Sequence, residues 1–144
     1  HPQTLDILGL PAAIESMLDK VCEPSGTPTY HFMAGDDVAK LQLPRLTQVT
    51  VYRIIVEAVN NVLRHAHANQ MEVAMSLRSN TLIVIVEDNG RGFNPTPQPP
   101  TESGGRGIHN VQERARDIGG QVRWQSSRFS SGTRFELELP LNEG

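Results

Sequence analysis

A glutamate and an asparagine four residues apart, Glu57 and Asn61, are followed by Asp88-x-Gly90-x-Gly92 and then by Gly105-x-Gly107. In that order they supply a carboxylate, an amide oxygen, a second carboxylate and two glycine loops. These are the parts needed to hold a nucleoside triphosphate and move its terminal phosphate. At helical spacing Glu57 and Asn61 reach the same point in space. Mg²⁺ keeps several waters and takes phosphate oxygens, so one protein amide oxygen suits it, and Asn61 fits that role. Glu57 then acts as a general base or positions an attacking group. Arg64, near the next turn, pairs with a phosphate, and His65 stands at the border of the apolar face. The same residues also read simply as the solvated face of a helix.

Asp88 follows a five-residue apolar run, Leu82 to Val86. At the mouth of a buried strand its carboxylate can accept a hydrogen bond from the exocyclic amine of adenine, and Gly90 and Gly92 let backbone approach the base. Asn89-Gly90 is equally a hairpin signal, but a hairpin needs a partner strand at once, and a proline-rich stretch follows. Ser103-Gly104-Gly105-Arg106-Gly107 runs into a helix, whose first N–H groups suit an anion; alone, the loop is an anion site or a hinge. It lacks the third glycine and preceding strand of a dinucleotide fingerprint, and the Gly-Lys-Ser/Thr of a Walker A loop. Thr133 adds a hydroxyl to a base pocket or is an ordinary β-branched strand residue. Trp124 is read as packing the sheet. His31, His67, His109 and Cys22 have no metal-ligand spacing, so no zinc site is expected.

The elements that must position these groups follow from periodicity and punctuation. Pro11 to Cys22 reads as a short helix and Thr27 to Met33 as a strand, with Gly35-Asp36-Asp37 as a turn. A long helix from about Thr47 to His67, with Thr47 as cap, carries an apolar stripe of Val51, Ile54, Ile55, Ala58, Val59 and Val62. Met71 to Leu77 alternates as a half-buried strand, Ser79-Asn80 turns, and Leu82 to Val86 is apolar on both faces, as in a central strand. Prolines 95, 97, 99 and 100 exclude helix or central strand from Phe93 to Ser103, which reads as a lid. Gly107 to Ile118 is helical and ends at Gly119-Gly120. Gln121 to Gln125 and Arg134 to Leu139 complete the strands. This order predicts an α/β (α+β) two-layer sandwich: a mixed, mainly antiparallel sheet covered on one face by about three helices.

Bulk properties narrow the function. The chain has 144 residues, 38% hydrophobic, the size and core of one domain. A net charge of −3 gives no global basic field, so nucleic acid is not expected as a partner. The single cysteine excludes an internal disulfide and suits a reducing compartment. No apolar run approaches the about 20 residues of a spanning helix, so no membrane contact is expected from this stretch. The chain opens on His1 rather than Met, which predicts a piece of a longer protein.

Taken together, the boxes resemble the catalytic and ATP-binding domain of sensor histidine kinases, in the Bergerat-fold ATPase superfamily, and within it the nitrate-sensor and membrane-fluidity-sensor subfamily. Glu57-Ala-Val-Asn-Asn61-Val-Leu-Arg64-His65-Ala-His-Ala68 is similar to that family's first box. Asp88-Asn-Gly90-Arg-Gly92-Phe93 is similar to its first glycine box. Gly105-Arg106-Gly107-Ile108-His-Asn110-Val-Gln-Glu113-Arg114-Ala115 and Gly119-Gly120 are similar to the second box and its helix. The likeness spans about Leu43 to Leu141, and residues 1–10 resemble the end of upstream dimerisation helices, making them a connector to a catalytic domain at 11–144. The resemblance implies ATP and Mg²⁺ as cofactors, with Asn61 on the metal and Asp88 on adenine. Arg64, His65, Gly90, Gly92 and Phe93 from the first two boxes would line the nucleotide. So would Gly105, Arg106, Gly107 and Ile108 from the second box, with Thr133. It implies autophosphorylation of a histidine on an upstream dimerisation domain, Glu57 orienting it or taking its proton, then relay to a response-regulator receiver aspartate. A homodimeric, membrane-anchored bacterial sensor with this domain in the cytoplasm is the implied context. No histidine in this chain matches the acceptor. An anti-sigma-type serine kinase on the same fold, or a nucleotide-responsive binding module, are the alternatives.

Overall fold

The structure, a computed structural model, describes residues 3–92 and 107–141. Five strands form one sheet in the order β1-β2-β3-β5-β4: β1 (Thr29–Ala34), β2 (Gln70–Arg78), β3 (Thr81–Asp88), β4 (Gln121–Ser126) and β5 (Thr133–Pro140). Only β1–β2 is parallel; β2–β3, β3–β5 and β4–β5 are antiparallel. The mixed, mainly antiparallel sheet anticipated from the short turns is therefore present, with β3 at its centre.

One face of the sheet makes the core. Successive strand residues alternate faces, and the register aligns Val73, Val86 and Phe135 in one row and Met75, Val84 and Leu137 in the next. All six are buried. Against them lie α2 (Leu10–Cys22), α4 (Arg45–Asn61) and α5 (Gly107–Asp117). The expected stripe on α4 is buried in full, from Val51 to Val62. On β3 the apolar run is less symmetrical than expected: Leu82, Val84 and Val86 are buried, whereas Ile83 and Ile85, on the opposite face, are only half-buried.

Several local expectations shift. Residues 3–8, within the expected connector, form the short helix α1 (Gln3–Leu8), with Leu5 buried. The turn after β1 tightens into α3 (Asp36–Ala39), whose two aspartates sit in the first turn, where negative charge suits a helix start. The long helix starts at Arg45 behind Pro44, not at Thr47: the Pro44 carbonyl accepts from Gln48 N at 2.9 Å, and no side chain caps it. Its end differs too. After Asn61 the chain widens into a π-helical turn, Val62–Ala66, and leaves through His67 in the left-handed region (φ 53°). The Ser79-Asn80 turn stands as read, both residues having positive φ.

Candidate nucleotide site

The π-helical turn is where the Glu57–Ala68 box meets the first glycine box. Carbonyls freed from the regular helical ladder need other donors. Arg91 provides them: its backbone N–H donates to Ala66 O at 2.8 Å and its Nε to His65 O at 2.9 Å. Gly90 lies so close that a Cβ there would overlap the Ala66 carbonyl. Asn89 works on the other side, its Oδ1 accepting from the N–H groups of Asn69 (3.0 Å) and Gln70 (2.9 Å) at the start of β2. Each residue between Asp88 and Gly92 thus has a separate task. Asn89 ties the box to β2, Gly90 and Arg91 lock it to the helix end, and Asp88 and Gly92 line a pocket.

That pocket is a cleft open to solvent, with about 350 Å³ of free space counting the solvent at its mouth, between α4 and the inner face of β3 and β5. Asn61, His65, Asp88, Gly92 and Thr133 line it, with Ala58, Val62, Ala66, Val86, Trp124 and Phe135 as the apolar walls. An apolar slot with a few convergent polar groups is the usual form of a small-molecule site. Asp88 is 2% exposed at its floor. Gly90 N donates to its Oδ1 at 2.8 Å, and the backbone N–H of Thr133 donates to the same carboxyl. Burial pushes its pKa above the ordinary aspartate value, against those two hydrogen bonds, and the neighbouring Glu87 charge adds to the rise. A desolvated carboxylate with spare lone pairs is poised to accept from a ligand N–H.

The opposite end of the site is polar. Glu57 and Arg64 form an ion pair at 3.4 Å, Arg64 being 52% exposed. The start of α5 comes up to them: a Cβ on Gly107 would lie 2.8 Å from Glu57 Oε1 and 3.9 Å from Asn61 Oδ1. So the second glycine box faces the Glu57–Asn61 helix box, and Ile108 follows half-buried in the first turn of α5. Phe93, Gly105, Arg106 and the expected lid lie outside the described residues. Among the described residues no group of three or more His, Cys, Asp or Glu can hold a metal. The donors at this end, one amide oxygen and one nearby carboxylate, fit a Mg²⁺ that arrives on phosphates rather than a resident ion.

The model of the histidine kinase-, DNA gyrase B- and HSP90-like ATPases matches residues 47–143. The chain belongs to this ATPase family. An uncharacterised sensor-like histidine kinase of Chloroflexus aurantiacus is 29% identical over 98% of the chain, which spans only 24% of that protein. Among solved structures, the histidine kinase domain of the Erythrobacter litoralis blue-light-activated kinase superposes with a TM-score of 0.72 at 21% identity. That match covers 92% of this chain and 65% of the other. The catalytic domain of the histidine kinase ThkA gives 0.72 at 15% identity, over 91% of both chains. The two-layer fold is thus that of histidine kinase catalytic domains. No helix among the described residues of this ATPase domain is long and apolar enough to cross a membrane.

Reading the sequence missed several contributors to the pocket. Trp124 does pack the sheet, its ring centroid 5.3 Å from that of Phe135, but both also wall the pocket. Gly132 abuts the Asp88 carbonyl with no room for a Cβ, at φ 112°. Their common signal, visible only with the strand register, is that β4 and β5 pair Trp124 with Phe135 and bring Thr133 beside the end of β3.

Proposed function

We propose that this domain binds Mg-ATP in the Asp88 pocket and presents its γ-phosphate to a histidine on an upstream dimerisation domain, for relay to a response-regulator receiver aspartate. The observation that carries the reading is the juxtaposition of a buried, doubly hydrogen-bonded Asp88 with Asn61, and of Asn61 and Glu57 with the start of α5. Asp88 accepts from the adenine amine, and an amine-bearing base restores a partner to a carboxylate that burial has made costly to ionise. His65, Gly92 and Thr133 shape the base slot. Bound Mg²⁺ supplies charge neutralisation between the phosphates. Asn61 offers its Oδ1 toward the phosphate end, and the backbone N–H groups at Gly107 and Ile108 face the same anion. Arg64 swings from Glu57 to phosphate, which frees Glu57 to orient the incoming imidazole or accept its proton.

Titration calorimetry with Mg-ATP tests this directly. Asn61→Ala and Asp88→Asn should each weaken binding at least about tenfold, the scale of one lost charged or metal contact. Affinities like that of the unaltered protein in both variants would sink the proposal. Transfer is tested separately, by adding the domain and labelled ATP to a dimerisation segment carrying the acceptor histidine. Acid-labile label on that histidine is expected; acid-stable label on a serine would favour the serine kinase alternative.

A further inference from the structure

The ATPase pocket accounts for Asp88 but not for its neighbour. Glu87 has 0% exposure, yet it lies on the sheet face that carries no helix among the described residues. A carboxylate is kept in such a place only when paired and hydrogen-bonded. Its Oε2 accepts from the backbone N–H of Arg128 at 2.6 Å and from the Ser127 hydroxyl at 3.2 Å. Its Oε1 accepts from Arg128 Nε at 3.0 Å and from Arg134 at 3.3 Å. Arg128 also lies 3.6 Å from Glu72, the cross-strand neighbour of Glu87.

These contacts fold the β4–β5 loop back over the end of β3. Further along the loop, the Ser131 hydroxyl donates to Asn89 O at 3.1 Å, and Gly132 presses on the Asp88 carbonyl. The next residue is Thr133, whose N–H donates to the Asp88 carboxylate. Glu87 therefore holds the chain on both sides of Thr133, through Arg128 before it and Arg134 after it.

We infer that Glu87 is a positioning residue for base recognition: through Arg128 and Arg134 it fixes the loop that aims the Thr133 N–H and so sets the Asp88 carboxylate toward the base. It touches no ligand itself. The inference rests on reading the Asp88 pocket as the adenine site.

The test measures dissociation constants for Mg-ATP and Mg-ITP, whose hypoxanthine lacks the amine that Asp88 would accept. Glu87→Gln keeps the shape of the side chain and removes its charge. It should raise the ATP constant about tenfold, one lost charged hydrogen bond, and the ITP constant far less, so that the preference for ATP shrinks. Arg128→Ala, at an exposed site, should act in the same direction by about threefold and carries the test if the Glu87 variant does not melt cooperatively. Unchanged ATP affinity in the folded variants overturns the inference, as does an equal loss for ATP and ITP, which marks a merely structural network. If the unaltered protein binds neither nucleotide, the pocket reading itself falls and the inference with it.

Discussion

Side chains alternate along a strand, so Glu87 and Asp88 leave β3 on opposite faces and meet opposite environments. Burial raises the pKa of both groups, but for Glu87 the hydrogen bonds from Arg128 and the charges of Arg128 and Arg134 outweigh it and hold the value below the ordinary glutamate range. A depressed carboxylate stabilises the fold fully above its unfolded pKa of about 4.3, and that share is lost as pH falls through the lower folded value. Thermal melts between pH 7 and pH 3 should therefore show an acid-side decline that is shallower in Glu87→Gln, which is less stable at neutral pH. Asp88 has the reverse sign. Its raised pKa means that ionisation opposes folding as pH rises through the folded value, so the nucleotide-free protein spends stability on its site. Asp88→Asn should raise the melting temperature of the free protein while lowering ATP affinity. A drop in both would show that its contacts with Gly90 and Thr133 matter more than its desolvated charge.

At the scale of elements, what repeats locally was legible. The stripe on α4 follows the helical period, and β2 alternates, so both were readable within a few residues. The break at Val62 was not, because Val62-Leu63-Arg64-His65-Ala66 contains no glycine or proline. The carbonyls that leave the ladder are satisfied by Gly90's neighbour Arg91, which is distant in sequence. The Glu87 network was hidden for the same reason, its partners lying about forty residues on. Short α1 has too few apolar residues to show a period. The close approach of box to π-helical turn predicts that Gly90→Ala, which must push the Ala66 carbonyl aside, costs about 1–3 kcal/mol in chemical denaturation. The backbone at Gly90 is ordinary, so the cost is one of space. Ile54→Ala, on the wholly buried stripe, should cost about 2–5 kcal/mol while leaving the nucleotide affinity of the folded fraction unchanged.

For the whole molecule, one sheet face binds the helices and the other carries charge. Arg123 spans Glu136 (2.8 Å) and Glu138 (3.4 Å) there, and Arg134 approaches Glu136 at 3.8 Å. The site lies between the layers, held by α4, α5 and three strands, so a ligand that bridges them should stabilise the domain as a unit. Mg-ATP at a hundredfold excess over its dissociation constant should add about 2.7 kcal/mol. For a domain of this size that is a rise of about 5–10 °C in melting temperature. No rise at saturating nucleotide would contradict binding between the layers. Trp124 offers a way to watch the event as it happens. The chain has a single tryptophan, and its ring both packs at a tilt against Phe135 and forms part of the pocket wall. Every photon of indole emission from this domain thus reports on one wall of one cavity. A base entering that cavity should change the emission in step with occupancy, so arrival and departure can be timed by stopped flow on the unlabelled protein.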